Sequence, residues 1–177
     1  MSTQPNHIKE AVHAAVVKIE SAHLRWQSRL RPIAPLRIPS ASAAMVPLLV
    51  AEIRAGRGPK LYVCTQAEAV DLALAMVAHH SRVPMEHLLE GDVRERDFPL
   101  ITAACGRIAA SRMTIIRVNR AKELQGHLDS VPADMLTLSD VPVADHEAQG
   151  IRSLAAARRL TLILFASDPV LPTDRYL

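Results

Sequence analysis

The sequence predicts an α/β protein in which a mostly parallel sheet is covered by helices, preceded by an N-terminal amphipathic helix. Two observations predict it. Short strands that are apolar on both faces recur along the chain, and helical stretches of about 10–15 residues separate them, which is typical of parallel sheets. The 177 residues are 49% hydrophobic and 22% charged, so one ordinary hydrophobic core is expected and a wholly disordered chain is excluded.

The first predicted element is an amphipathic helix over residues 8–30. Its apolar positions recur every three or four residues, at Ile8, Val12, Val16, Ile19, His23, Trp26 and Leu30. Pro32 and Pro35 end it and separate a first unit, residues 1–35, from a second, residues 36–177. The apolar stripe needs a covering surface. We predict that Ile8, Val12, Val16, Ile19 and Trp26 bind a partner or a second copy; packing on the chain's own domain is the alternative.

The remaining elements alternate between strands and helices. The predicted strands are 36–39, 60–65, 113–118, 134–139 and 160–166. The predicted helices are 43–55, 67–80, 84–89, 97–111, 121–128 and 145–158, with Asp97 and Asp145 as candidate caps. Ligands of parallel sheets bind beyond the carboxyl ends of the strands. Those positions are Ser40–Ala44, Thr65–Glu68, Asn119, Ser139–Asp140 and Ser167–Asp168.

Little catalytic chemistry follows the predicted strands. The turn Ser40–Ala44 has small residues but neither Gly nor Lys, so tight triphosphate binding is not expected, and a plain strand–helix turn is the alternative. Glu68, Asp140 and Asp168 are acids that can orient water or hold a metal, or equally cap helices. The eight histidines have no standard zinc spacing. We therefore predict no catalytic residue, no metal and no cofactor.

Positive charge is concentrated near the N-terminus. Residues 1–60 carry nine Lys/Arg against three Asp/Glu, whereas the rest of the chain is net acidic. Phosphate contacts from Arg25, Arg29, Arg31 and Arg37, beside Trp26, are one interpretation. A solvated basic face is the other.

The sequence also indicates a compartment. The first twenty residues contain charged side chains instead of the apolar region of a signal peptide, and no apolar run approaches the length of a membrane helix. Cys64 and Cys105 define no disulfide framework. We expect a cytoplasmic protein without a membrane association.

From Lys60 onward, the order of features resembles the C-terminal RecA-like motor domain of DnaB-type replicative DNA helicases. The segment LYVCTQAE precedes a helix, and RVPMEHLLEG, residues 82–91, is similar to a middle segment of that family. Asp97-Phe98 opens a helix through AACGRI, and MTIIRV is the next strand. Residues 151–167 resemble the helix and strand that end in the family's Leu-Ser-Gln. The likeness spans about residues 36–168, and helix 8–30 stands where the family has a linker helix that docks on the neighbouring subunit.

The departures from this family bear on activity. Ser42-Ala43-Ala44 stands in place of Gly-Lys-Thr, Ala67 or Glu68 in place of the catalytic Glu, and Ser139 or Asp140 in place of the family's Asp. The family's Gln falls at Asp168, and the chain ends at Leu177 before the later strands and the arginine finger. The resemblance thus implies a remnant of a nucleotide site at Ser40, Ser42, Ala43, Ala44, Glu68, Asp140 and Ser167.

Loss of the phosphate-loop lysine removes charge stabilisation that positioning alone cannot replace. The resemblance therefore implies an ATPase-inactive, helicase-like protein that acts through protein binding, in DNA replication or a mobile element. Its partner is then a second copy or a replicative helicase. Two alternatives remain open, a nucleic-acid-binding accessory protein and a residual nucleotide-binding or hydrolysing enzyme.

Overall fold

A computed structural model describes residues 6–28, 40–56, 58–64, 69–118, 123–139, 141, 143 and 145–165. The predicted strand at residues 36–39 and the proline pair that separates the two predicted units lie outside these described residues.

The described elements follow the predicted alternation of strands and helices. The helices are α1 (Ile8–Gln27), α2 (Ser40–Arg54), α3 (Ala69–Ser81), α4 (Met85–Glu90), α5 (Phe98–Ala110), α6 (Leu124–Ser130) and α7 (Asp145–Ala157). The strands are β1 (Asn6–His7), β2 (Lys60–Cys64), β3 (Met113–Arg117), β4 (Met135–Ser139) and β5 (Thr161–Phe165). A 3₁₀ turn, Glu95–Asp97, leads into α5.

The strands form one sheet in the order β1-β3-β2-β4-β5. β2 to β5 run parallel, and the two-residue β1 pairs antiparallel with β3 at the edge. Cys64 at the end of β2 stands opposite Arg117 of β3 and Ser139 of β4. The predicted α/β class, with a mostly parallel sheet and a preceding N-terminal helix, is confirmed.

The chain reverses direction within this sheet. From β2 it moves to β3 on one side, then crosses back to β4 and β5 on the other. Because crossovers between parallel strands are right-handed, the reversal places the connecting helices on opposite faces. Accordingly α3, α4 and α5 pack on one face, and α6 and α7 on the other. The switch point between β2 and β4 is where such sheets bind ligands, beyond the carboxyl ends of the strands. We call that end of the sheet the carboxyl edge and the opposite end the amino edge.

Alternation along β2 divides the core into two layers. Tyr62 and Cys64 are buried beneath α1, α2, α3 and α5. Leu61 and Val63 are buried on the other face, with Leu124 of α6. Burying one large apolar side chain contributes about 1.5–3 kcal/mol, so a strand that is apolar on both faces belongs at the centre of the sheet.

The N-terminal helix packs on its own domain. Ile8, Val12 and Ile19 are buried, and Val16 packs partly buried on the same core. α1 contacts α3, α4 and α5, and Lys18 donates to Asp71 of α3 at 2.7 Å. The chain's own core therefore covers these four apolar residues, which is the alternative that the sequence left open. The stripe needed a covering surface, and the helices above the sheet supply it.

Two further expectations differ from the structure. Asp97 has a helical backbone conformation and makes no side-chain capping hydrogen bond, because the 3₁₀ turn already leads the chain into α5. Asp145 is the first residue of α7. The pairing of β1 with β3 was not predicted, since two residues carry no periodicity.

Candidate functional site

The carboxyl edge at the switch point is where doubly wound sheets bind ligands. Cys64 and Ser139 end adjacent strands at the switch point, and both are buried. Three of the predicted remnant residues, Glu68, Asp140 and Ser167, lie outside the described residues.

The other four remnant positions lie in the first turns of α2. Ser40 is the first residue of the helix, and Ala43 and Ala44 are exposed. α2 is 15 residues long, which corresponds to roughly 22 Å. Its last residue, Arg54, stands shortly before Lys60 at the amino edge. Helix-start N–H groups can face an anion, but Ser40–Ala44 offers no cationic side chain.

The described residues offer no metal centre and no membrane span. They contain no group of three or more His, Cys, Asp or Glu side chains placed to hold an ion. None of the described helices is both long enough and apolar enough to cross a bilayer.

Two titratable groups on the helices have shifted pKa values. Burial lowers the pKa of His80 below its ordinary value, and the nearby Arg54 guanidinium lowers it further. Burial raises the pKa of the Cys105 thiol, and Cys64 is fully buried. Because the thiolate is the reactive form of cysteine, neither thiol has the environment of a nucleophile.

A surface cluster of rings forms where α1 ends and α5 begins. The His23 and Trp26 rings stack with centroids 6.1 Å apart, and His23 meets the Phe98 ring edge-on at 5.2 Å. His23 Nδ1 lies 2.9 Å from the carbonyl oxygen of Gly91, which holds the imidazole in place between the two aromatic rings. We call His23, Trp26 and Phe98 the aromatic patch.

The aromatic patch is exposed although aromatic residues are scarce in this protein. Trp26 is 50% exposed and Phe98 38% exposed, and they are two of only five Trp, Tyr and Phe residues. Leu24 and Leu100 on the same two helices are also exposed. Rigid aromatic side chains at the surface are the residue types that dominate protein–protein binding energy. Among the five predicted partner-binding residues, Trp26 alone is available for contact.

The sequence singled out two residues of the aromatic patch, Trp26 and His23, but not Phe98. Trp26 and His23 stood out on the helix stripe, whereas Phe98 is 75 positions from His23 and carried only the signal of a helix start. The contact depends on how α1 lies across α5, and no spacing in the sequence records that.

The predicted nucleic-acid contacts are only partly described. Arg25 is exposed on α1 next to Trp26 in the sequence. Arg29, Arg31 and Arg37 lie outside the described residues.

No protein-family model matches this chain, and no curated protein matches its sequence. The class that the fold defines is a doubly wound α/β protein with a parallel sheet. The likeness to helicase motor domains stays a prediction made from the sequence.

Proposed function

We propose that this chain is an ATPase-inactive, RecA-like binding protein that associates with a second copy of itself through the aromatic patch. The resemblance to helicase motor domains implies that the protein acts in DNA replication or belongs to a mobile element. The observation that carries the proposal is the exposure of Trp26 and Phe98 in one ring cluster.

The last turn of α1 is the feature that favours a second copy as the partner. In the family that the sequence resembles, the helix before the motor docks on a neighbouring subunit. Here most of that helix packs on its own core, and its last turn presents the aromatic patch instead. A two-fold interface brings the same surface of both copies together.

The surroundings of the patch suit such self-pairing. Exposed side chains of both signs, Arg25, Glu95 and Arg96, stand within three positions of Trp26 or Phe98 in the sequence. Exposed Glu90 comes directly before Gly91, whose carbonyl oxygen contacts His23. A rim with both charge signs can be complementary to a rotated copy of itself. The ring cluster would then form the apolar core of the interface, and the charged side chains would form its solvent-accessible rim.

Inactivity toward ATP is supported by the start of α2. Ser40–Ala44 has no lysine to stabilise a developing phosphoryl charge, and such electrostatic stabilisation supplies most of the catalysis of phosphoryl transfer. We expect no ATP turnover above background. Robust hydrolysis that disappears in Asp140→Asn would contradict this part of the proposal.

The oligomeric state of the full chain tests the association. We expect a dimer by light scattering after gel filtration, and a shift toward monomer in Trp26→Ala and Phe98→Ala. Leu48→Ala is the matched control, because Leu48 is an exposed apolar residue on α2. A full-length chain that is monomeric at every soluble concentration overturns the proposal, as does a dimer that neither patch variant weakens.

A further inference from the structure

A basic pocket lies at the amino edge of the sheet. It encloses about 580 Å³ between the ends of α2 and α5 and the start of β2. Its lining includes four cationic side chains and one hydroxyl: Arg54, Lys60, Arg107, Arg112 and Ser111. No acidic residue is among the described residues that line it.

The four cations have different roles in the fold. Lys60 is buried at the start of β2 and donates to the carbonyl oxygen of Gly58 at 2.9 Å. Arg54 donates to the carbonyl oxygen of His80 at 3.3 Å. Arg107 and Arg112 are exposed, and their guanidinium groups make no hydrogen bond or ion pair with other residues that the structure describes. These two arginines are therefore the ones whose donors are open to a ligand.

The positive charge exceeds what the fold itself neutralises. The carboxyl ends of α2 and α5 contribute roughly half a negative charge each. One further acid, Asp134, stands close to Gly58 at this edge. Among the described residues, these negative contributions are smaller than the four positive charges of the lining. Burial lowers the pKa of His80, and the nearby Arg54 and Arg107 charges lower it further, so both guanidinium groups lie on the side of the domain where α3 ends.

The lining also restricts the kind of ligand. It has no aromatic ring among its described residues, so an aromatic platform for a base or a sugar is not available there. Its volume lies within the range of small-molecule sites. Guanidinium groups pair with phosphate through parallel charge-assisted hydrogen bonds. A phosphate-bearing group is the chemistry that these donors fit.

We infer that the basic pocket binds the phosphate groups of a ligand, with Arg107 and Arg112 as the principal donors. The site is separate from the aromatic patch, since the two lie at opposite ends of α5, whose 13 residues span roughly 20 Å. Phosphate binding at the basic pocket therefore does not depend on self-association through the aromatic patch.

Inorganic pyrophosphate is the first probe, titrated calorimetrically into the full chain at low salt. We expect measurable binding that weakens about tenfold or more in Arg107→Glu and in Arg112→Glu, since each removes a charge-assisted donor. Arg152→Glu is the matched control, because Arg152 is an exposed arginine on α7, on the other face of the sheet. We expect the control to bind pyrophosphate like the unchanged protein.

A short single-stranded oligonucleotide is the second probe and distinguishes the source of the phosphate. Binding of the oligonucleotide that the two variants abolish assigns the site to a nucleic-acid backbone. Binding of pyrophosphate alone assigns it to a small phosphorylated ligand. Binding of neither probe at low salt overturns the inference.

A purely structural role for these arginines gives a different result. If they only stabilise the helix ends, Arg107→Glu and Arg112→Glu lower the melting temperature but leave probe binding equal to that of Arg152→Glu. That outcome also overturns the inference. Arg107→Gln and Arg112→Gln, which remove charge without reversing it, keep the test informative where a Glu variant does not fold.

Discussion

At the scale of the residue, His80 couples the stability of the fold to pH. Its Nε2 atom is buried and has no hydrogen-bond partner among the described residues. Burial, followed by the Arg54 charge, lowers its pKa below the ordinary value of 6.5. The unfolded chain therefore binds this proton more readily than the folded chain, so the free energy of unfolding falls as the pH drops below 6.5.

We predict that His80→Gln flattens this dependence. The variant has no ionisable group at the position, so its free energy of unfolding should change less between about pH 7 and pH 5. Urea denaturation across this range measures it. His79→Gln is the control, because His79 is the exposed neighbour on the same helix. Equal pH slopes in the two variants would show that burial of His80 does not govern the acid response.

At the scale of the element, Gly91 determines how closely α4 approaches α1. Its φ is +80°, and a Cβ placed there would lie 2.2 Å from the carbonyl oxygen of Ala22. Only glycine fits both the left-handed conformation and this backbone contact. The carbonyl of Gly91 also meets His23, so the same turn positions the aromatic patch.

We predict that Gly91→Ala destabilises the protein by about 2–4 kcal/mol, of which the left-handed conformation alone costs about 1–2 kcal/mol. Gly106→Ala should have the opposite sign. Gly106 lies inside α5 with no heavy atom within 4 Å of an added Cβ, and replacing a helical glycine with alanine gains about 0.5–1 kcal/mol. Urea unfolding of both variants measures the difference. A Gly91→Ala protein as stable as the unchanged chain would mean that α1 and α4 can separate without cost.

The elements also show how far the sequence could predict the structure. β2, β3 and β4 were predictable because each is a short apolar run between helical stretches, which is typical of buried parallel strands. The stripe on α1 predicted a buried face but not its covering surface, since periodicity is the same for an internal and an external contact. The patch and the basic pocket were not predictable, because each joins residues from distant segments and depends on how the helices pack.

At the scale of the whole molecule, the uneven charge of the sequence has a structural counterpart. The excess of Lys and Arg in the first sixty residues suggested an N-terminal contact surface for nucleic acid. Two of those cations, Arg54 and Lys60, line the basic pocket, where they meet Arg107 and Arg112 from the net-acidic remainder of the chain. These four cations, which are dispersed in the sequence, thus meet at the amino edge of the sheet.

The separation of an apolar patch from a basic pocket predicts that salt affects phosphate binding and self-association differently. Association through Trp26 and Phe98 removes apolar surface from water, which depends little on ionic screening. Phosphate binding at Arg107 and Arg112 relies on exposed charges, which salt screens over about 10 Å at 0.1 M. Raising the NaCl concentration should therefore weaken pyrophosphate binding several-fold and leave the dimer dissociation constant nearly unchanged.

Trp26 is the only tryptophan in the chain, so its fluorescence reports burial of the patch directly. We expect its emission to shift to shorter wavelength with increasing protein concentration, equally at low and high salt. Calorimetric titrations of pyrophosphate into the same samples at each salt concentration measure how phosphate binding depends on salt. If the fluorescence shift also disappears as salt rises, charged residues of the rim hold the two copies together and the aromatic rings do not.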